Sequence, residues 1–462
     1  MGSCVSMNKL RNENKTISKS MITFLIPVIF ASVIQSLGQV FGIIVVGQSL
    51  GLDSLAALSA FFPLLFLLIT FAIGIGSGSS ILIGQSYGGG NITKMKEVVG
   101  VTLAFTILIS VVCAIFGSIF TDNILKWMGT PKNILEESVE YARILFITLP
   151  ITFLNMVYTT FLRGVGDSKT PFYFLIISVI LNIILLPILI FGLAGLPEFG
   201  LNGAAYAAVL ASLISLALLL GYLHKSNHIL KLDRTIFSHF HLRGAVLKTL
   251  LKLAIPSSIS LVAMAMSEIA VITFVNSYGS NATAAYGVAN QIASYVQIPA
   301  MSISIAISVF VAQSVGAEDI TKIRHIKKIG IKLNYILGGA LVLMIYLLSN
   351  PILGMFLNND ETIQIAHSLI LISFWSYVIL GHTQAISATM RATGTVLWPT
   401  IFTISSIWLA EVPVAYFLSH FTTLGINGIW IAYPMAFIAN FTAQSMYQHF
   451  FWKKKALKAL LQ

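Results

Sequence analysis

The chain is 462 residues long, with 57% hydrophobic, 11% aromatic and only 9% charged residues and a formal net charge of +11. Charged residues ordinarily supply about a quarter of a soluble chain, so too little polar surface is available to cover a water-facing globule, and a soluble protein is excluded. Two cysteines, Cys4 and Cys113, offer no disulfide framework or metal cluster.

A polar tail, residues 1–20, comes first. Its opening "MGSCVS" fits the short pattern for N-myristoylation, with Cys4 as a palmitoyl site, although such an anchor adds little to a chain that already spans the bilayer. Twelve apolar segments follow, at about 21–46, 55–83, 98–120, 143–162, 172–192, 203–223, 253–277, 285–312, 331–349, 365–388, 399–419 and 429–451. Their lengths suit membrane-crossing helices, which satisfy their own backbone in hydrocarbon where an open sheet cannot. The first is too long for a signal-peptide core and is read as a retained helix.

Between these segments, 24 of the 27 Lys and Arg fall on one side, from Lys9, Arg11, Lys15 and Lys19 in the tail to Lys453, Lys454, Lys455 and Lys458 at the end. Only Lys126, Lys132 and Arg143 fall on the other, among Asp53, Asp122, Glu136, Glu137, Glu198, Asp360 and Glu361. Basic loops mark the cytoplasmic face, so both termini are expected there. The positive charge is a topology signal and argues against a nucleic-acid partner.

An internal repeat organises the chain. "GQSYGGGNITKM" from Gly84 is answered by "AQSVGAEDITKI" from Ala312, and Gly51 with Gly279, Arg163 with Arg391, Gly166 with Gly394 and Pro171 with Pro399 all share an offset of 228. "GLNG" from Gly200 answers "GING" from Gly425 at an offset of 225. Six helices in each copy give both the same orientation. The expected fold is therefore all-α: a polytopic membrane protein of twelve helices in two six-helix bundles related by a pseudo-twofold axis along the membrane normal. Its parts are a cytoplasmic tail (1–20), an N-lobe (21–223), a cytoplasmic linker (224–252), a C-lobe (253–451) and a cytoplasmic C-terminal tail (452–462).

Several motifs have ordinary explanations. "GQSYG" from Gly84 fits a serine-hydrolase elbow but ends an apolar helix, and no His-and-acid pair accompanies Ser86. Gly74, Gly76 and Gly78 resemble a phosphate loop, yet lie inside an apolar run, where small residues let helices approach. The linker's His224, His228, His239 and His241 have no Cys and few acids around them, so a solvated loop is preferred to a metal site. Pro27, Pro187, Pro256, Pro299, Pro413 and Pro434 fall within helices and invite bends.

The carboxylates carry the functional reading. Fourteen of sixteen Asp and Glu fall in the tail, loops or helix ends, leaving Glu268 in the seventh segment and Glu411 in the eleventh. An acid at a helix centre costs about 2.5 to 3.5 kcal/mol on insertion scales and generally faces the bundle interior or a water-filled cavity. There it can exchange a proton or hold Na⁺. His382, in the tenth segment, is a candidate relay. Gln35, Gln39, Phe41, Asn155, Tyr158, Asn182, Gln291, Tyr295 and Gln384 are candidates to line a substrate cavity, with packing or helix–helix hydrogen bonding as the alternative.

Three motifs carry a family resemblance: "LRGVGDSKTP" from Leu162, "GQSYGGGN" from Gly84 and "VNSYGSNATAAYG" from Val275. With the repeat, they make the chain resemble the multidrug and toxic compound extrusion (MATE) transporters over about residues 20–452. The resemblance implies secondary active efflux of organic, often cationic compounds by two rocking lobes enclosing a central cavity, driven by H⁺ or Na⁺ entry. It also implies two departures: Gly42 stands where many relatives carry a first-helix Asp, and Gly381 where some carry an Asp in helix ten. Glu268 sits about where some branches have a Glu, whereas Glu411 falls where relatives often have a basic residue.

The expected protein is thus a transporter and not an enzyme, in the bacterial inner membrane, acting as a monomer on small organic substrates amid membrane lipids. It has no cofactor beyond the coupling ion, and Glu268 is assisted by His382 or Glu411. A flippase for a lipid-linked precursor is the alternative; it wants a groove of intramembrane Lys or Arg, which the segments lack.

Overall fold

The computed structural model describes residues 2–242, 244–454 and 457–461, and of residues 2–14 and Ala194 the backbone alone. Arg243, Lys455 and the side chains of Cys4, Lys9 and Arg11 lie outside the described residues. The described chain is helical throughout: α1 (Gly2–Leu50), α2 (Leu52–Gly88), α3 (Ile92–Trp127), α4 (Lys132–Ile147), α5 (Leu149–Gly164), α6 (Lys169–Phe191), α7 (Gly200–Lys225), the short α8 (Arg234–Ser238), α9 (Ala245–Asn276), α10 (Ser280–Gly316), α11 (Ile320–Gly354), α12 (Asp360–Ser373), α13 (Trp375–Ala392), α14 (Leu397–Ser406), a π-helical turn (Ile407–Glu411), α15 (Val412–Phe421) and α16 (Ile426–Phe450).

Among the described residues, nine spans are long and apolar enough to cross a membrane, one of them running from α14 through α15. Two more crossings are bent pairs: α4 with α5, turning by 50°, and α12 with α13, turning by 43°. The fourth and tenth predicted segments are therefore the inner parts of longer, broken helices. The first bend falls at Thr148, just ahead of Pro150, whose missing N–H cannot continue the ladder. The twelfth segment is α16. It is long enough to span but less apolar than the other eleven, because Asn440, Gln444 and Gln448 recur at every fourth position on its buried face.

The chain divides into two compact units: Ile26–Ile255 with Leu461, and Met1–Leu25 with Pro256–Leu460. Both divisions fall beside a helical proline, Pro27 in α1 and Pro256 in α9. In the first unit, Phe61, Phe146 and Phe153 anchor the core between α2, α4 and α5, and α6 lies along α7. In the second, Val271, Val275, Phe374 and Trp430 join α9, α12 and α16 around α10. Phe24, near the start of the membrane part of α1, packs edge-on against Phe310 at 5.7 Å within this same unit.

The repeat is written into the backbone. Gly51 and Gly279, which precede α2 and α10, take φ of 90° and 95°; Gly166 and Gly394 take 92° and 86°; Gly200 and Gly425 take 53° and 54°. These left-handed turns strongly favour glycine. The turns after α2 and α10 match as well: Asn91 and Asp319 each cap the following helix by accepting from a lysine N–H three residues on, at 2.9 and 3.3 Å. One position breaks the rule. Gly90, at φ 71°, is replaced in the second copy by Glu318, at φ 58°.

The segment after α7 is docked onto the first unit. Asp233 caps α8 by accepting from the Ile236 N–H at 3.0 Å and pairs with Lys96 of α3. Ile236 is fully buried, and a Cβ on Gly100 of α3 would collide with its carbonyl, so the approach requires glycine there. His228 stands 3.9 Å from Asp167, whose other oxygen accepts from the N–H groups of Lys169 and Thr170, both at 3.0 Å, at the head of α6. Withdrawal from water acts to raise the Asp233 pKa, but the Lys96 hydrogen bond and charge outweigh it, and the carboxyl stays below its ordinary value. Burial lowers the His228 pKa, and Asp167 offsets only part of that.

Candidate functional site

The two intramembrane acids meet in the second unit. Pro413 has no N–H and crowds the carbonyl four residues earlier, that of Leu409, so a regular α-helix cannot run through this point. The chain widens instead into the π turn Ile407–Glu411. Its outward side carries Leu409, 77% exposed, and its inward side Glu411, only 5% exposed. Ser267 of α9 donates its hydroxyl to Glu411 Oε1 at 2.7 Å. The same helices are pinned at another level, where Ser260 Oγ bonds Thr400 Oγ1 at 3.2 Å and Thr400 bonds the Pro256 carbonyl at 3.3 Å.

Glu268 follows Ser267, and its carboxyl interacts electrostatically with that of Glu411. It is exposed, which raises the question of what it is exposed to. At about 100° per residue, the exposed apolar stripe of α9 formed by Ile255, Ile259, Met266 and Ile269 points one way, and Glu268 lies roughly 140° from its centre. The carboxyl therefore does not belong to the face that meets acyl chains. Tyr286 and Tyr377 are both within electrostatic reach of the two acids. Tyr286 shares a 2.9 Å hydrogen bond with Tyr433, stacks on Trp430 at 5.9 Å and is nearly buried, while the Tyr377 ring meets Phe437 at 5.4 Å.

His382 belongs to another group. Its Nδ1 lies 3.0 Å from the Tyr335 hydroxyl, its ring is 4.9 Å from that of Phe441, and its charged neighbour is Lys327. Lys327 donates to Gln448 Oε1 at 2.8 Å, at the foot of the α16 polar stripe, and Gln444 donates to Asn440 Oδ1 at 2.8 Å higher up. Glu268 and Glu411 thus form one cluster, and His382 a second on α11, α13 and α16.

The remaining candidates divide by environment. Gln35, Gln39 and Gln291 are exposed, and Tyr295 is half-buried. Phe41 packs beside the core formed by Val46, Ala57 and Leu186. Asn155 donates to the Ser212 carbonyl at 3.2 Å, a helix–helix bond. Tyr158 Oη, Asn182 Oδ1 and Gln384 Oε1 are buried with no partner among the described residues, which leaves each an open hydrogen-bonding valence.

The two missing acids have different physical settings. Nothing lies within 4 Å of where a Cβ on Gly42 would stand. At Gly381 the space is taken: the Asn334 side chain, 2% exposed, fills it while donating to the Val378 carbonyl at 2.9 Å. Ser267, Tyr286, Tyr377, Tyr433 and Asn334 were not among the sequence candidates. A serine beside an intramembrane glutamate was the one available signal, since tyrosines in apolar segments usually pack.

The MatE family model matches twice, over residues 27–188 and again over 256–417, once in each unit. The chain belongs to the MATE family. It is 52% identical over 452 residues, 98% of both chains, to the probable multidrug resistance protein YoeA of Bacillus subtilis, and 25% identical over 388 residues, 84% of this chain and 85% of the other, to the FAD transporter of Shewanella oneidensis. A solved MATE in complex with MaD3S superposes with a TM-score of 0.86 at 26% identity, covering 96% of this chain and 97% of that one. MATE proteins are membrane transporters, as the sequence leads one to expect, and not enzymes. Ser86 accordingly lies in the helical last turn of α2, without the strand-to-helix turn that a nucleophile elbow requires.

Proposed function

We propose that this MATE transporter exports small organic, cationic or amphipathic compounds by antiport against H⁺ or Na⁺, with Glu268 and Glu411 as the coupling group. The observation that carries the reading is the pairing of the two acids in the C-lobe, one fixed by Ser267 and the other open beside it. Two carboxyls that feel one another favour holding one positive charge between them. That charge is a proton, a sodium ion or the cation of the substrate, so occupancy by one opposes occupancy by another, which is what exchange requires. The name of the Bacillus subtilis relative supports multidrug substrates.

In this reading, movement of one lobe against the other turns the carboxyl pair toward opposite sides of the membrane in alternation. One charge crossing the full potential supplies about 2.3 kcal/mol per 100 mV, and one pH unit about 1.4 kcal/mol, enough for a useful gradient of a neutral compound. The basic side of the chain faces the cytoplasm, with both termini there, in the bacterial inner membrane. The transporter works as a monomer, without a cofactor, and His382 with Tyr335 assists from its separate cluster.

The test is dye export from proteoliposomes under pH and Na⁺ gradients imposed separately. Glu268→Gln and Glu411→Gln should each lower gradient-driven export at least tenfold while downhill leak stays unchanged. Full export by both variants at normal incorporation would refute the assignment. The gradient that drives the wild-type protein identifies the ion.

A further inference from the structure

The docked linker does more than bridge the repeats. Beyond α8 the chain turns back along the outer face of α3, and between the two lies an apolar groove of about 530 Å³. Its floor is Ala104, Ile107, Leu108 and Val111, one face of a membrane span, and its rim is Phe240, His241 and Leu242. The groove is fixed in place, because the linker is held by Lys96–Asp233, by buried Ile236 and by the close approach at Gly100. It is also amphipathic. The α3 floor lies in hydrocarbon, and the rim belongs to a segment, residues 224–252, with six Lys and Arg, four His and one acid. That acid, Asp233, is already paired with Lys96.

We propose that this groove binds one anionic glycerophospholipid of the leaflet on the basic side, with an acyl chain along α3 and the phosphate at His241. His241 is exposed and is the polar member of the lining. Its ring stands 6.3 Å from that of His239, and the exposed Arg234 and Lys248 flank the segment. An acyl chain alone would explain the floor, and any anion the charges. Only a molecule with an apolar tail and a negative head uses both, and in a zwitterionic lipid the ammonium group offsets the phosphate and weakens the second contribution. Phe237, Phe240 and Leu242, 59%, 44% and 39% exposed, would be costly in water and are accounted for by the same placement at the bilayer interface.

Native mass spectrometry of the full chain, purified in detergent with equimolar phosphatidylglycerol and phosphatidylcholine of matched acyl length, tests this directly. One phosphatidylglycerol per chain should be retained at least fivefold over phosphatidylcholine. Leu108→Trp, at a position 44% exposed and so tolerant of bulk, should fill the groove and remove that adduct. Arg234→Gln with Lys248→Gln should abolish the headgroup preference and leave acyl binding. As a second readout, tryptophan emission of Phe240→Trp should be quenched more by brominated phosphatidylglycerol than by brominated phosphatidylcholine. Equal retention of the two lipids by the wild-type protein, or an unchanged adduct in folded Leu108→Trp, overturns the proposal.

Discussion

Glu411 and Glu318 show how differently a single residue can be held against its own preference. A carboxyl in an apolar segment is costly, and at Glu411 that cost is met by the Ser267 hydroxyl and by a turn that points the group inward. Glu318 gains nothing comparable: it holds φ 58° in a turn where the first repeat has Gly90, and a left-handed L-residue is strained by roughly 1–2 kcal/mol. Glu318→Gly should therefore stabilise the protein, by about 0.5–1 kcal/mol after the added freedom of the unfolded chain is deducted. A rise in unfolding temperature would show it, and a fall would mean that the Glu318 side chain makes a compensating contact. The neighbouring Asp319 is held at about 2 by hydrogen bonds from Lys322 and Thr321. Its contribution is present above the ordinary carboxyl value near 4 and is lost as pH falls from there through about 2.

Among elements, α11 and α13 are joined through one substitution-sensitive contact. Asn334 occupies the volume that any side chain at Gly381 would need, so Gly381→Ala should cost about 1–3 kcal/mol by overpacking. Adding Asn334→Ala should recover part of that loss, and a double variant as unstable as the sum of the singles would show that the two residues are not in contention. This was hidden from sequence. Gly381 is legible as a departure from its relatives, but its cause lies on another helix 47 residues away. The acids were legible because charge in an apolar run is rare, and the repeat because its turns keep their glycines. The pairing of Ser267 with Glu411 was not, since it joins residues 144 apart and depends on a widened turn. Nor were the bends: Pro150 marks the first, but no proline or glycine marks the second, at Phe374.

For the whole molecule, the docked linker carries a pH-sensitive contact outside the membrane, that of His228 with Asp167. With its pKa lowered, His228 binds fewer protons folded than unfolded. It therefore favours the docked linker above the ordinary histidine value, near 6.5, and that contribution is lost as pH falls through the lower folded value. Hydrogen-exchange protection across residues 228–242, taken relative to the intrinsic rate at each pH, should fall between pH 7.5 and 5.5, and His228→Gln should flatten the change. An unaltered profile in that variant would assign the response to other groups. Loosening of this strap frees the chain between the repeats without touching the carboxyl pair, so export assayed over the same range separates the two.

The swollen turn before Pro413 also bears on how length changes would act. A π-helical turn holds one residue more than the α-helical turn it replaces, and Pro413 would still oppose a regular helix after deletion of a single residue from the preceding stretch, Leu397–Ser406, so the widened turn would be kept. The helix would remain long enough to cross, yet with the turn kept and one residue fewer ahead of it the two stretches would be re-phased by about 100°, swinging the acid away from its serine. Here the loss of one codon would leave a sound membrane crossing and part Ser267 from Glu411.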